Sequence, residues 1–336
     1  MFTLLKELCE INGTSGREHK VREYIISKLG DIPYTVDALG SVIVELKGKE
    51  RAKNKVMIAA HMDEVGFIAT YVCDDGLIKF DTVGGIVPAV MSGRKVRFES
   101  GALGVIGSKP VHLSSESEKN TLLTEDKLFI DIGAKDKKEA LQYVLPGDTA
   151  VFAEKYEEIG DKILSKALDD RTGCAIMLRM IEEGVKYDTV FAFTVQEEAG
   201  LRGAGCVANR VCPDYSIVLE ATTASDIAGV AEDSRVCVQG EGAVLSFMDN
   251  STIYDKDVFR TALALGKEKG ISVQVKTAVA GGNDSGIIHK SGLGVKAAAI
   301  SAPCRYIHSQ SNMLKKSDIV ACFELAKALS EKLSDA

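Results

Sequence analysis

The run Lys55-Val56-Met57-Ile58-Ala59-Ala60-His61-Met62-Asp63-Glu64 is the stretch on which the fold turns. Its five apolar residues, Val56 to Ala60, show no alternation with polar ones. A short run of this kind suits a strand buried on both faces, within a sheet covered by helices on each side. It stops abruptly at a histidine and two carboxylates. In α/β sheets, sites gather beyond the carboxyl ends of the strands, which makes His61 and Asp63 candidate site residues. His-x-Asp also puts both side chains on one face of an extended segment, where the carboxylate can fix the imidazole tautomer.

The same texture recurs on either side. Before it, Val21, Tyr24, Ile25 and Leu29 recur at helical spacing over 17–29, closed by Gly30 and Pro33, and Val42–Leu46 reads as a strand. From 66 to 163 the character changes to many glycines, Pro88, Pro110 and Pro146, and short alternating pieces such as Lys95-Val96-Arg97-Phe98. That stretch reads as a small β-rich unit. Long helices and buried strands then return: helix 171–184, strands Val190–Val195 and Ser216–Leu219, helix 252–269, strand Val295–Ile300, and a final helix over 317–333. Alternating strands and helices imply an α/β sheet with helices on both sides. The expected architecture is one α/β domain formed by residues 1–65 and 164–336, interrupted by a β-rich insertion over 66–163.

Composition narrows the function. The chain has 336 residues, with 41 Lys+Arg against 48 Asp+Glu and a net charge of −7. An acidic balance without a long basic run argues against nucleic acid or an anionic membrane as the main partner. No apolar stretch approaches the roughly 18 residues of a spanning helix. The N-terminus has no clear apolar core followed by a small-residue cleavage site, so a cytoplasmic protein is expected. The eight cysteines are scattered without a Cys-x-x-Cys pair and are expected as free thiols. Gly101 to Lys109 and Gly200 to Gly205 fit neither phosphate-loop nor dinucleotide spacing.

Four further polar groups lie at strand ends. Asp169-Asp170 precedes the 171 helix, Glu197-Glu198 follows Val190 to Gln196, Glu220 follows Ser216 to Leu219, and His308 lies shortly beyond the strand ending near Ser301. Taken singly each is ordinary: a structural histidine, a helix cap, a solvated turn. Together, two histidines and several carboxylates on one sheet edge point to a metal site, since adjacent buried like charges are costly unless a cation offsets them.

Five motifs occur in order: His61-Met62-Asp63-Glu64-Val65-Gly66-Phe67, Ala167-Leu168-Asp169-Asp170-Arg171-Thr172-Gly173, Val195-Gln196-Glu197-Glu198-Ala199-Gly200, Gly281-Gly282-Asn283-Asp284-Ser285-Gly286 and Pro303-Cys304-Arg305-Tyr306-Ile307-His308. With them the chain resembles the M42 family of dinuclear-metal aminopeptidases, from Asn12-Gly13-Thr14-Ser15-Gly16 to His308. The resemblance implies a mixed-sheet catalytic domain with an inserted, β-barrel-like oligomerisation domain, and two divalent ions, zinc or cobalt, per subunit. By resemblance Asp169 bridges the ions, His61 and Glu220 complete one, and Glu198 and His308 complete the other. Glu197 is then the general acid/base, Asp63 supports His61, and the Asp169-Asp170 peptide is cis. The implied partners are peptides with a free N-terminus and further copies of the chain, up to a tetrahedral dodecamer.

Glu220 departs from the family pattern, where Asp is usual, and Asp226 is the weaker substitute. Asn283-Asp284 and Arg305-Tyr306 lie in motifs near the site without an assigned task. Lys135-Asp136-Lys137-Lys138-Glu139 reads as a solvated helix face, and His112 as a surface or interface residue. The rival readings are a related dinuclear deacylase, a glycosidase using an acidic pair, and a non-catalytic assembly protein that keeps the metal for structure.

Overall fold

Every residue of the 56–61 run is buried, and its side chains alternate between two cores. Val56, Ile58 and Ala60 join one apolar cluster, while Met57 and Ala59 join another on the opposite face. This is the period-two geometry of a strand sandwiched between helix layers, and it explains why no polar residue interrupts the run.

The structure, a computed structural model, describes residues 1–113, 115–116 and 122–336. In chain order the strands are β1 (Thr35–Val36), β2 (Val42–Leu46), β3 (Val56–His61), β4 (Gly66–Val72), β5 (Ile78–Val83), β6 (Lys95–Phe98), β7 (Leu103–Ser108), β8 (Leu128–Asp131) and β9 (Thr149–Phe152). They continue as β10 (Glu157–Ile159), β11 (Lys162–Ser165), β12 (Thr189–Thr194), β13 (Tyr215–Thr223), β14 (Ala243–Leu245), β15 (Val273–Val275), β16 (Lys296–Cys304) and β17 (Asn312–Lys315). Eight of them form a mixed sheet in the order β1-β2-β12-β3-β13-β16-β14-β15. The central strands β12, β3, β13 and β16 are mutually parallel, and β2 and β14 run antiparallel beside them.

Helices cover both faces. Phe2–Glu10, His19–Leu29, Leu168–Glu183, Lys256–Lys269 and Lys316–Ser334 bury their apolar sides on one. Arg202–Val211 and Ser285–Ile288 pack on the other. The helix read as starting at 252 begins at Lys256, because Asp255 caps it by accepting from the backbone amides of Asp257 and Val258. The helix read from 171 opens earlier, at Leu168, but Asp169 and Asp170 are non-helical and joined by a cis peptide.

Strands β4 to β9 close into a separate six-stranded antiparallel barrel in the order β4-β5-β8-β7-β6-β9. Phe67 anchors its core, with edge-on contacts to Phe80 at 5.3 Å and Phe152 at 5.1 Å between ring centroids. Strand β10 pairs with β11 and β11 with β17 in a small third sheet, which joins the segment after the barrel to the C-terminal part of the chain. Within 135–139, Asp136 caps a short helix at Lys137–Ala140, and His112 is exposed.

Register aligns the sheet edge that carries the polar groups. Thr194 of β12 pairs with His61 of β3, and on the other side Val218 of β13 pairs with Ala59. Two residues further along each chain, Glu220 is therefore level with His61. β16 runs parallel to β13, with Ser301 opposite Glu220, and His308 follows four residues beyond the strand's end.

Candidate metal centre

His61, the last residue of β3, is fixed from below. Its Nδ1 lies 3.2 Å from the Asp63 carbonyl oxygen and 3.4 Å from Asp63 Oδ1. A carbonyl only accepts, so Nδ1 carries the proton and Nε2 faces the site. That nitrogen is 3.2 Å from Asp169 Oδ1 and 3.4 Å from Glu220 Oε1.

His308 reaches the same point from the far side, on a backbone in the left-handed region with φ 58°. Its Nδ1 donates to the Gly85 carbonyl at 3.0 Å, so the barrel segment after β5 sets this tautomer. His308 Nε2 is 3.3 Å from Asp169 Oδ2 and 3.3 Å from Glu198 Oε1. Asp169 thus offers one oxygen towards each histidine. The cis peptide that follows it is the one expected from the resemblance.

Donor atoms of His61, Asp169 and Glu198 lie within 4.8 Å of one another, as do those of His61, Asp170 and Glu220. Asp170 is an addition to the sequence-derived set. One of its oxygens accepts the Gly173 amide at 2.9 Å, and the other is buried without a partner among the described residues.

The electrostatics fit a cation. Burial pushes the carboxyls of Glu197, Glu198 and Glu220 above their usual range, and neighbouring carboxylates add to the shift. Burial alone would lower His308, but Asp169 and Glu198 beside it raise it to about 11. His61 is raised in the same way, against its own burial, by Glu220, Asp169 and Asp63. Without an ion, the carboxylates draw protons onto the imidazoles. Divalent ions would displace those protons and neutralise the same charge, and the N/O donor set is one that zinc or cobalt accepts.

Asp63 is fully buried and its oxygens accept from the amides of Glu197 at 3.0 Å and Glu198 at 3.1 Å, and from Ser15 Oγ at 2.6 Å. It therefore ties the ends of β3 and β12 together. Glu197 lines a cleft of about 510 Å³ with Asp169, Glu198, Glu220 and His308. Asp284 accepts from Thr194 Oγ1 at 2.6 Å, and burial raises its carboxyl to about 6. Asp226 is engaged elsewhere, since Arg305 donates to both of its oxygens at 2.6 and 2.9 Å. That pair also supplies a task for Arg305. Asn283 donates to Tyr254 Oη at 3.0 Å and accepts from the Ser285 amide.

Sequence reasoning missed Gly85 and Thr194, because a carbonyl in the insertion and a strand threonine carry no signal until the chain is folded. It also passed over Glu64, which accepts from Lys166 at 2.7 Å and Arg171 at 3.3 Å, all three buried behind the centre.

The model of the M42 glutamyl aminopeptidase family matches residues 40–325. A putative aminopeptidase of Acetivibrio thermocellus is 39% identical over 323 residues, covering 95% of each chain. Among solved structures, the TET aminopeptidase of the marine sediment archaeon Thaumarchaeota archaeon SCGC AB-539-E09 has a TM-score of 0.94 at 32% identity, over 99% of this chain and 96% of that one. The TET1 peptidase of Pyrococcus horikoshii, described as assembling into a tetrahedron or a large octahedral shell, gives 0.85 at 35% identity over 98% of both chains. With a family match across most of its length and a full-length relative well above 30% identity, the chain belongs to the M42 family of aminopeptidases.

Proposed function

We propose that the chain removes the N-terminal residue from peptides with two divalent ions, zinc or cobalt, and Glu197 as general base and acid. The observation that carries this reading is Asp169, whose two oxygens lie 3.2 and 3.3 Å from the Nε2 atoms of two different histidines. His61 and Glu220 would hold one ion, Glu198 and His308 the other, with Asp169 shared between them. When bound, such a pair supplies Lewis acidity at the scissile carbonyl and acidifies the attacking water.

The remaining work falls to the protein. Glu197 takes the proton of the attacking water at its carboxylate and passes it to the leaving amine. Asp63 holds the Glu197 and Glu198 amides, so the two carboxylates keep separate directions, and it orients His61 from behind. The cleft walls hold the peptide, and the requirement for a free α-amino group confines cleavage to the first bond.

Residues 1–65 and 164–336 form the catalytic domain in this reading, and 66–163 the oligomerisation domain. The relatives' tetrahedral assembly supports a homo-oligomer, with a dodecamer as the expected form. Eight unpaired thiols suit the reducing cytoplasm. Among the described residues, no helix is long and apolar enough to cross a membrane.

The test compares wild type with Glu197→Gln on an amino-acid amide, on a free peptide and on its N-acetylated form, with and without chelator. The expected result is turnover of the unblocked substrates that chelation abolishes, and a loss of at least 1,000-fold in E197Q with both metal equivalents retained. Equal cleavage of the acetylated peptide would make the enzyme a deacylase. Cellulose hydrolysis indifferent to chelator would make it a glycosidase, and full turnover in E197Q would remove Glu197 from its role.

A further inference from the structure

We propose that Glu18 is a positioning residue for Glu197 and Glu198, acting through the backbone amide of Gln196. The proposal rests on the metal-centre reading above and adds to it a residue from the N-terminal segment.

Strand β12 ends at Thr194, and Gln196 takes a left-handed backbone with φ 57°. Three consecutive amides then leave the sheet ladder, and each is received by a buried carboxylate. Gln196 N–H donates to Glu18 Oε1 at 3.1 Å, Glu197 N–H to Asp63 Oδ1 at 3.0 Å, and Glu198 N–H to Asp63 Oδ2 at 3.1 Å. Consecutive amides converging on anions form a rigid clasp, and bonds to a charged acceptor are about twice as strong as neutral ones. The direction in which the two glutamates leave the strand is set by these three bonds.

Glu18 is placed for this and for little else. It occupies the N-cap position of the helix His19–Leu29, where Ser, Thr, Asp or Asn would normally hold the first-turn amides, yet its side chain makes no capping bond. It is only 4% exposed, and the same oxygen that receives Gln196 also accepts the Gly16 amide at 2.7 Å. Ser15, three residues earlier, donates to Asp63 at 2.6 Å. One short segment, Ser15 to Glu18, therefore braces both carboxylates of the clasp. A non-glycine residue in the left-handed region is held there by its surroundings, and Glu18 is the side chain that meets the Gln196 amide. A displacement of about 1 Å at a reacting group can cost about 100-fold in rate, so loss of this brace is read in turnover before it is read in binding.

The test uses the full-length protein and the variants Glu18→Ala, Glu18→Gln and Glu18→Asp. The readouts are kcat and KM on an amino-acid amide, and calorimetric titration of the metal-depleted protein with zinc alone. In E18A, kcat falls at least tenfold with KM within threefold, and the weaker zinc equivalent loses at least fivefold in affinity. E18Q, whose carboxamide oxygen still accepts the amide, recovers kcat to within about fivefold of wild type. If E18A does not fold, E18D decides: it keeps the charge but falls one methylene short, and its kcat drops tenfold with KM held. Turnover and zinc affinity within twofold of wild type in E18A, or in E18D where it replaces E18A, would overturn the proposal. Absence of aminopeptidase turnover in the wild type would overturn the functional reading instead, and the zinc titration of the same variants then decides the role of Glu18 alone.

Discussion

Lys276 is the one lysine or arginine among the described residues lining the cleft. One of its three N–H donors goes to the Ala280 carbonyl at 2.7 Å. Its acidic neighbour Asp249 is already engaged by the Ser251 amide and hydroxyl, the Thr252 amide and Tyr254 Oη. Burial lowers the pKa of this ammonium while Asp249 and Glu220 nearby hold it up, and among the described lining residues it is the one ammonium placed to meet an acidic substrate side chain. An acidic first residue should be preferred over a basic one, with kcat/KM for a glutamyl amide at least tenfold above that for the lysyl amide. Lys276→Met should erase most of that ratio while leaving turnover of a leucyl amide within threefold. A panel of amino-acid amides measures both, and a lysyl preference in the wild type would contradict the assignment.

At the scale of elements, the end of β3, the N-terminal segment and the helix Leu168–Glu183 are locked by one buried group of charges. Glu64 accepts from Lys166, Arg171 and the Gly13 amide, and Arg171 also donates to the carbonyls of Leu8 and Ile11. Removing one member of a buried pair leaves its partners uncompensated at about 3–5 kcal/mol. Glu64→Ala is accordingly expected to lower the urea midpoint by that equivalent. A midpoint within the error of wild type would mean that water replaces the carboxylate. This network was not legible in the sequence, because Glu64 lies 102 and 107 residues before Lys166 and Arg171 and each looks ordinary alone. Strands β3, β12 and β13 were legible, since burial on both faces leaves an unbroken apolar run. The helix Arg202–Val211 was not read from the sequence, where Gly203 and Gly205 belong to a glycine-rich piece; Gly203 is there because its amide lies against the Val195 carbonyl, 3.0 Å away, with no room for a side chain. The seven site residues were visible as polar groups at the ends of apolar runs and as motifs, but β13 runs on to Thr223, so Glu220 lies within the strand and not at its exit. Their supports were not visible: Gly85 acts through its carbonyl, Glu18 on the Gln196 amide and Ser15 through its hydroxyl on Asp63, contacts that only the fold creates.

For the whole molecule, the barrel touches the centre on one side and, in the proposed reading, other copies of the chain on another. Inwardly, the Gly85 carbonyl sets the His308 tautomer, so the insertion completes the centre instead of merely hanging from it. Outwardly, Leu103 and Val105 lie two apart on β7 and are 53% and 43% exposed, with Arg97 and Lys95 opposite them on β6. Side chains two apart on a strand share a face, so this is an exposed apolar pair bordered by cations, and Leu103, Lys95 and Arg97 line an open groove with Glu10, Ile11 and Lys20. A surface of that kind is suited to meet another copy. Light scattering should give a particle of about twelve times the 36.0 kDa chain mass. The double variant Leu103→Lys, Val105→Lys should yield a smaller species with an unchanged circular dichroism spectrum, because both side chains point away from the barrel core. A wild-type chain that scatters as a monomer would overturn the assembly, and a full-sized particle from the double variant would move the contact to another face.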